Sequence, residues 1–398
     1  MKIKNNRLRI LIAIALMIFI IICAIAIPNA LRPIPGSGLE TGNVSILPIS
    51  AVGSSFAITS DENLWRWGFT DRLEDGTVAV RNKPQKVMTN ASAIFEQGST
   101  IMMICSNGTL WTQGREIRGA RHWFVRFLWM MTPLRAPRND EPTAIMENVV
   151  SFDMTVSHDF SFAMAITSDG TLWGWGENRS GQLGLCTTNN HYRRPVRVMN
   201  DVVAVATGSF RTFAITSEGT LWGWGGNRFG CLGDGTTENS RNPIRLMEDV
   251  VAVSTHSSNV FAITSDGKLW AWGGNWGQLG DGTIDRRHSP VHILDSVVAV
   301  SSGSSHNMAI TSDGTLWGWG NNEFGQLGDG TTENRLTPTR IMEDVVVVSA
   351  GHSHTLAVTS DGVLWAWGNN QHGQLGDGTT ENRHSPVRIM DGILLPPK

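Results

Sequence analysis

The amino-acid sequence predicts an all-β protein: a seven-bladed β-propeller of four-stranded antiparallel blades, preceded by one N-terminal transmembrane helix. Two observations predict the propeller. A unit of roughly 48 residues recurs seven times, and each copy contains four strand-like segments separated by glycine-rich turns. A third observation, an unbroken apolar run near the N-terminus, predicts the helix. No unit shows an apolar period of 3.6 residues, which excludes a helical solenoid.

Residues 1–30 are predicted to be a signal-anchor segment. Basic residues precede an apolar run at 10–27 that Pro28 ends. This run would span about 27 Å as a helix, close to the ~30 Å hydrocarbon thickness of a bilayer. The preceding charges predict a cytoplasmic N-terminus and an extracytoplasmic propeller. Two alternatives stay open, namely cleavage at the A-x-A sequence 24–26, which would give a secreted protein, and a helix buried in a soluble protein.

Residues 31–43 are predicted to be a linker of proline, glycine and small polar residues, and residues 44–398 to be the propeller. The first tryptophan of the recurring W-x-W-G motif marks the seven copies: Trp65, Trp111, Trp173, Trp222, Trp270, Trp317 and Trp365. A proline-led strand follows each copy: Pro84, Pro142, Pro195, Pro243, Pro290, Pro338 and Pro386.

The last unit shows the four predicted strands most clearly. The β-branched run 344–351 and the segment 354–360 are followed by Asp361-Gly362, which predicts a two-residue type I′ hairpin turn. The third strand is predicted at 363–368. The fourth is predicted at 386–390, with proline in its first position, where a missing N–H is tolerated.

The paired tryptophans are interpreted as packing residues. Positions i and i+2 of a strand share a face, so Trp365 and Trp367 project together, with only Ala366 between them on the opposite face. Each blade can therefore accept the indoles of its neighbour on its flat face. A redox or light-sensing indole array is the alternative interpretation.

The repeat resembles that of the regulator of chromosome condensation family. The matching elements are W-G-x-N-x-x-G-Q-L-G at 319–328, the proline strand, and V-V-x-V-x-x-G-x-x-H-T-x-A at 345–357. The resemblance implies a seven-bladed propeller. Relatives include a nucleotide exchange factor for a small GTPase, a plant UV-B receptor, ubiquitin-ligase domains and a secreted β-lactamase inhibitor. Because this chain has a predicted export segment, the secreted inhibitor is the relative most similar in location, and it implies a protein-binding scaffold. The G-W-R-H-T string of the UV-B receptor is absent.

The sequence gives no catalytic, cofactor or metal motif. It lacks G-x-S-x-G, H-E-x-x-H and G-x-x-x-x-G-K, so no catalytic residue and no cofactor are predicted. His306 and His354 share one repeat position, but Arg211 and Asn259 occupy it in other blades. A ring of metal ligands is thus incomplete, and these histidines are interpreted as structural. The GDGTTEN loops at 233–239, 328–334 and 376–382 are interpreted as turns rather than calcium sites.

Composition limits the remaining classes. The hydrophobic content of 41% and charged content of 17% exclude general disorder, and the net charge of −3 argues against a nucleic-acid partner. The four cysteines form no C-x-x-C pair, which excludes a zinc ribbon. Cys186 and Cys231 fall in neighbouring blades, and a disulfide between them stays open.

Two features are predicted to contact a partner. Loop positions that vary among the blades form a ring on one face, and they hold residue types enriched at protein interfaces: Arg179, Arg228, Phe229, Trp276, Phe324 and His372. An insertion at 115–141 in the second blade adds arginines and exposed apolar residues: Trp123, Phe124, Arg126, Phe127 and Trp129. The alternatives for the insertion are an irregular second blade and contact with the membrane headgroups.

The sequence therefore predicts a membrane-anchored, extracytoplasmic protein-binding scaffold that is not an enzyme. Its partners are an unidentified protein outside the cytoplasm and the membrane, through residues 10–27. The first alternative is a cell-envelope polysaccharide-binding protein, lyase or hydrolase that uses the propeller mouth. The second is a regulator similar to a guanine nucleotide exchange factor, which requires that the N-terminal segment is not inserted in a membrane.

Overall fold

The computed structural model describes residues 49–50, 55–72, 78–89, 91–97, 100–105, 108–113, 143–156, 161–187, 189–393 and 395. They belong to one compact unit, Gly42–Lys398. The signal-anchor segment, the linker and the insertion at 115–141 lie outside the described residues. Among the described residues, no helix has the length and apolar character needed to cross a membrane.

Blades 1–3 contain the first fourteen strands. Blade 1 consists of β1 (Ile49–Ser50), β2 (Ser55–Ile58), β3 (Leu64–Trp67), a two-stranded ribbon of β4 (Phe69–Arg72) and β5 (Val78–Arg81), and β6 (Gln85–Met88). Blade 2 consists of β7 (Ala91–Gln97), β8 (Thr100–Cys105), β9 (Leu110–Gln113) and β10 (Thr143–Met146). Blade 3 consists of β11 (Val149–Val156), β12 (Ser161–Thr167), β13 (Leu172–Glu177) and β14 (His191–Met199).

Blades 4–7 repeat the same order without additions. Blade 4 consists of β15 (Val202–Gly208), β16 (Arg211–Thr216), β17 (Leu221–Gly225) and β18 (Ser240–Met247). Blade 5 consists of β19 (Val250–His256), β20 (Asn259–Thr264), β21 (Leu269–Gly273) and β22 (Arg287–Leu294). Blade 6 consists of β23 (Val297–Ser302), β24 (His306–Thr311), β25 (Leu316–Gly320) and β26 (Arg335–Met342). Blade 7 consists of β27 (Val345–Ala350), β28 (His354–Thr359), β29 (Leu364–Gly368) and β30 (Arg383–Met390).

The prediction of seven four-stranded antiparallel blades is confirmed. The first strands of successive blades contact one another, so they form the inner ring, whereas each fourth strand is an outer edge. The strands of blades 2–7 are consecutive, and in blade 1 only the β4–β5 ribbon intervenes between β3 and β6; among the described residues, no blade takes a strand from the other end of the propeller. A bridge between Thr59 and Ile393 and a hydrogen bond from Ser60 N to Gly392 O (3.0 Å) instead join the chain end to blade 1.

The propeller has two different faces. His354 at the start of β28 pairs with Gly368 at the end of β29, so the loop after the third strand leaves from the same face as the turn before the second. We call this the loop face. The opposite face carries the second-to-third-strand turns and the links between blades, and we call it the turn face. Gln113 at the end of β9 and Thr143 at the start of β10 are both at the loop face.

The hairpin turns differ from the predicted type I′. Gly362 N donates to Thr359 O (2.8 Å), so Ser360 and Asp361 are the central residues, and neither has a positive φ. Gly362 follows with φ +79°, which makes a type I turn with a glycine bulge. The Asp361 carboxylate accepts a hydrogen bond from Thr359 Oγ1 (2.6 Å). This bond fixes aspartate in the turn and leaves the left-handed conformation to glycine.

The fourth strands begin earlier than predicted. β30 starts at Arg383, so Pro386 lies inside the strand rather than at its first position. Ala366 pairs with Val387, and Gly368 pairs with Arg383, so three residues of β30 face one residue of β29. Proline is tolerated there because this bulge interrupts the hydrogen-bond ladder of an edge strand.

In five of the tryptophan pairs, the second tryptophan is hydrogen-bonded to the preceding blade. Trp367 is fully buried, and its Nε1 donates to Gln326 O of blade 6 (3.0 Å). A Cβ atom on Gly328 would lie 2.7 Å from that nitrogen, which explains the glycine. The same bond recurs at four other blade junctions: Trp67 to Gln374, Trp224 to Gln182, Trp272 to Cys231, and Trp319 to Gln278. The packing interpretation of these tryptophans is therefore supported.

The two tryptophans of a pair are not equivalent. Trp319 packs edge-on against Phe261 of blade 5, whose ring lies on the flat face of Ala271 (centroids 5.7 Å apart). Trp317 is only half-buried, and its Nε1 donates to Thr311 of its own blade (3.2 Å). The alternation of the strand places both indoles on one face, but only Trp319 is bonded to the neighbouring blade, and it is the more deeply buried of the two.

Candidate interaction face

The loops between the third and fourth strands are held by their own polar side chains. In blade 6, Asp329 accepts hydrogen bonds from Thr331 Oγ1 (2.7 Å), Asn322 Nδ2 (3.0 Å) and Arg335 Nε (2.8 Å). Burial opposes ionisation of Asp329, but the bonds from Thr331 and Arg335 outweigh it and lower the pKa of the carboxyl. The carboxylate is saturated by donors of the loop itself, which supports the turn interpretation of the GDGTTEN segments.

Blade 3 departs from this loop frame. Leu185 occupies the position of Asp329, and Tyr192, which pairs with Gly176 as Arg335 pairs with Gly320, occupies that of Arg335, so neither partner of the ion pair is present. Cys186 takes the position of the following glycine with φ +54° and is exposed. Cys231 of blade 4 is buried, and its Sγ donates to Ser258 O (3.0 Å). Both thiols are free, which answers the open question of a disulfide between them.

The predicted contact residues lie together on the loop face. Arg179, Arg228, Trp276 and His372 are exposed, while Phe229 and Phe324 are half-buried. All of them lie in the loops that follow the third strands of blades 3–7, and the blade 5 loop is one residue shorter than the others. Their contact with a partner stays a prediction. The contact residues predicted in the insertion lie outside the described residues: Trp123, Phe124, Arg126, Phe127 and Trp129.

One part of this ring is a continuous cluster between blades 4 and 5. The rings of Phe229 and Trp276 meet edge to face, with centroids 6.1 Å apart. The guanidinium carbons of Arg228 and Arg286 lie 5.5 Å and 4.8 Å from the centroid of Phe229. We call these four residues the aromatic–arginine cluster. Guanidinium groups over an aromatic face are attracted by its negative quadrupole, which fixes otherwise mobile side chains.

Sequence reasoning missed three residues of this region. Arg286 and Ile284 belong to the blade 5 loop, which reads GDGTIDRR where blade 6 has GDGTTENR, and Leu336 begins the exposed part of β26. Ile284 is 67% exposed and Leu336 is 40% exposed. Comparison of the loops position by position would have identified Ile284 and Arg286, because both replace a polar residue of the repeat.

His306 and His354 have structural roles in a belt of bonds between blades. The Thr355 hydroxyl donates to Gln326 O (2.8 Å), so it must accept the proton of His306 Nε2 (2.9 Å). Ser55 likewise donates to Gln374 O (2.7 Å) and accepts from His354 Nε2 (3.0 Å). Burial, reinforced by neighbouring histidines, lowers the pKa of His306 to about 3 and that of His354 to about 4. Both imidazoles are therefore neutral donors.

The polar side chains of the inner strands are not arranged as a site for cleaving a polysaccharide. Ser254 Oγ and Ser301 Oγ accept hydrogen bonds from Ser302 N (3.2 Å) and Ala350 N (3.0 Å) of the next blade. Asp153 occupies the same position in blade 3 and accepts from Thr207 N (2.7 Å). Burial raises the pKa of Asp153 to about 7. These polar side chains of the inner strands bond to the backbone of the next blade, which does not favour the lyase or hydrolase alternative.

A second set of polar side chains lies on the loop face, in the turns between the first and second strands of the blades. Ser304 Oγ is 3.2 Å from His256 Nε2 and 2.9 Å from His352 Nδ1. These bonds join the first turns of blades 5, 6 and 7. Within the described residues, no three histidine, cysteine, aspartate or glutamate side chains are placed to hold a metal ion.

The fold defines a class, a β-propeller built from seven repeated blades. The RCC1-like domain model matches residues 98–395, and the chain belongs to this family. Human WBSCR16 is 20% identical and covers 78% of this chain and 85% of its own, with a TM-score of 0.64. Prp20p from Saccharomyces cerevisiae, whose binding to Gsp1p and histones has been described, is 18% identical and covers 87% of both chains, also with a TM-score of 0.64.

A further solved structure is similar. It is that of Kap60 bound to yeast RCC1 (Prp20), at 18% identity and a TM-score of 0.64, with 92% of this chain and 91% of the matched chain covered. At these identities the likeness shows the fold. No curated protein matches the chain. The family membership confirms the resemblance inferred from the repeat.

Proposed function

We propose that this protein binds another protein through its loop face. One observation carries the proposal: exposed side chains differ from blade to blade at equivalent positions, while the loop frame beneath them repeats. Arg179, Arg228 and Glu323 are exposed at the first of two adjacent loop positions, and Trp276 and His372 are exposed at the second. A repeated frame that carries different exposed side chains suits recognition of one particular surface.

Crosslinking from the two faces tests this proposal. A photoreactive amino acid is placed at Trp276 or His372 on the loop face, and at Val298 or Val346 near the turn face as matched exposed controls. We expect a discrete crosslinked protein from the loop-face positions in intact cells, and none from the control positions. Equal products from both faces would contradict the proposal.

We further propose that residues 10–27 anchor the chain in a membrane and that the propeller lies outside the cytoplasm. The length of the apolar run and the basic residues before it support this topology. Cys186 is an exposed thiol and provides a built-in reporter. A membrane-impermeant maleimide should label it in intact cells, and the Cys186→Ser variant should lose this label. Labelling only after lysis would favour a cytoplasmic regulator similar to an exchange factor.

A binding role without catalysis is the simplest function for this arrangement. Prp20p has described binding to Gsp1p and histones, which supports protein partners for the family. In the present chain, Ser254, Ser301 and Asp153 of the inner strands are bonded to the next blade, which gives no support to a polysaccharide-cleaving site. The partner is therefore sought among proteins that meet the loop face.

A further inference from the structure

The aromatic–arginine cluster contains two cations without an anionic partner. Arg228 and Arg286 both lie over Phe229, and within the described residues neither forms an ion pair. The nearby Asp281 is already occupied by Arg287, whose Nε lies 2.6 Å from its carboxylate. Two positive charges held on one ring repel each other, and an anion between them would relieve that repulsion.

An apolar surface adjoins these charges. Trp276 is 61% exposed, although its edge is fixed against Phe229. A Cβ atom on Gly277 would lie 2.7 Å from Leu336 Cδ2, so Leu336 of blade 6 lies directly beside the Trp276 loop. Ile284 is a second exposed aliphatic side chain, two positions before Arg286 in the same loop. A large, partly fixed indole with an aliphatic neighbour is typical of an anchoring site in a protein interface.

We propose that the aromatic–arginine cluster binds an extended segment of the partner protein that has an acidic side chain two positions from an aromatic or aliphatic one. This inference rests on the proposed function and adds the chemistry of the partner. The Phe229 and Trp276 centroids are 6.1 Å apart. In an extended peptide, residues i and i+2 share a face and are separated by about 7 Å. The acidic side chain would lie between the guanidiniums while the apolar one covers the indole.

The aliphatic neighbours favour a peptide over other anions. A sugar acid would stack on Trp276 but would gain little from Ile284 and Leu336, and a phosphate alone would leave all three uncovered. The net charge of −3 also disfavours a nucleic-acid backbone. Acidic and apolar groups on one extended segment match both halves of the site.

A charge-reversal experiment tests this proposal. The full chain is used to select peptides from a random display library, in parallel with three variants: Arg228→Glu with Arg286→Glu, Trp276→Ala, and the control Arg197→Glu on the outer strand of blade 3. We expect the unaltered chain and the control to enrich peptides with Asp or Glu two positions from an apolar residue. The double charge reversal should enrich Lys or Arg at that position instead. Trp276→Ala should weaken binding of a selected peptide about tenfold or more.

Some results would overturn this proposal but leave the proposed function intact, and others would overturn both. All substituted side chains are exposed or half-exposed, and an unchanged thermal midpoint establishes that each variant folds. If the double charge reversal leaves the selected peptides unchanged while loop-face crosslinks persist, the cluster assignment fails and the scaffold function stands. If no peptide is enriched and both faces crosslink equally, both fail. Binding of oligogalacturonate or inorganic phosphate to the cluster, without peptide enrichment, would also overturn it.

Discussion

At the scale of single residues, side chains of the same type have different roles because they are buried to different extents. Trp319 and Trp276 are both tryptophans on the loop side of their blades, yet one is fully buried and the other is 61% exposed. The Trp319 indole fills the junction with blade 5 and satisfies Gln278 O. Trp276 covers no core. Substitutions at these two residues therefore separate stability from recognition.

Trp319→Ala is expected to destabilise the propeller by about 3 to 5 kcal/mol, because it leaves a cavity between blades, although Gln278 O keeps its hydrogen bond from Asn307 Nδ2 (2.8 Å). Trp276→Ala is expected to change the free energy of unfolding by less than about 0.5 kcal/mol. Urea denaturation followed by circular dichroism measures both. Similar losses for the two variants would show that Trp276 is structural.

The buried histidines predict a loss of stability in acid. The pKa of His306 falls to about 3 in the folded protein, whereas an unfolded histidine titrates near 6.5. The unfolded chain therefore binds more protons below pH 6.5, and stability falls as the pH decreases toward 4. At pH 4.5 this costs about 2 to 3 kcal/mol for this residue. Asparagine occupies the equivalent position in blade 5, as Asn259, so His306→Asn should flatten the profile.

Asp153 provides a control with the opposite sign. Its folded pKa of about 7 exceeds the usual carboxyl value, so the native protein binds the extra proton, and stability falls as the pH rises from about 4 to 7. Asp153→Asn should therefore stabilise the protein more at pH 7.5 than at pH 4.5. Thermal unfolding at these two pH values measures both variants. The same pH dependence for the two would contradict the assigned protonation states.

At the scale of elements, each blade contains a hairpin turn between its second and third strands. In blade 1 the backbone conformation of this turn is less favourable than in the other blades. Gly314 has φ +79° in blade 6, while Glu62 occupies this position in blade 1 with φ +59°. A residue with a side chain is disfavoured in this conformation by about 1 to 2 kcal/mol. The hairpin of blade 1 therefore carries strain that blades 3–7 avoid.

Glu62→Gly should stabilise the protein by about 1 kcal/mol, and Gly314→Ala should destabilise it by a similar amount. A Cβ atom on Gly314 would meet Asp344 Cα at 3.4 Å, so the expected loss comes chiefly from the backbone conformation rather than from a steric clash. Differential scanning calorimetry of both variants measures the effect. A loss of stability in Glu62→Gly would show that the glutamate makes a compensating contact.

At the scale of the whole molecule, the ring closes without an exchanged strand. Blade 1 meets blade 7 through Trp67 and Ser55, which both donate to Gln374 O, and through the bridge between Thr59 and Ile393. The last residues of the propeller thus fasten the first blade. This junction joins the two ends of the chain, so it is the place where the ring can open without breaking a blade.

Ile393→Ala should loosen this junction, because Ile393 is buried against both end blades. We expect a loss of about 2 to 4 kcal/mol and faster amide exchange in β2 than in β20 of blade 5. Val346→Ala is a matched control, since Val346 is partly exposed. Hydrogen exchange followed by mass spectrometry measures the difference. Uniform acceleration in all blades would show that closure is not a local event.

The sequence by itself determined the class of fold, the number of blades and the loop positions that vary. Repetition carries that information, because seven similar segments with the same turn residues must adopt the same local structure. It also placed Arg228, Phe229 and Trp276 on one face. It did not predict the early start of the fourth strands or the turn type. Those depend on bulges and hydrogen bonds between paired strands, as at Pro386 and Gly362.

Only the tertiary structure decided which varied side chains meet. Arg286 lies over Phe229 although 57 positions separate them in the chain, because neighbouring blades bring their loops together. Three other features were also decided only by the tertiary structure. They are the free thiols of Cys186 and Cys231, the neutral buried histidines and the way in which the ring closes. Each depends on contacts between blades, whose geometry is set by packing of the buried indoles rather than by any local pattern.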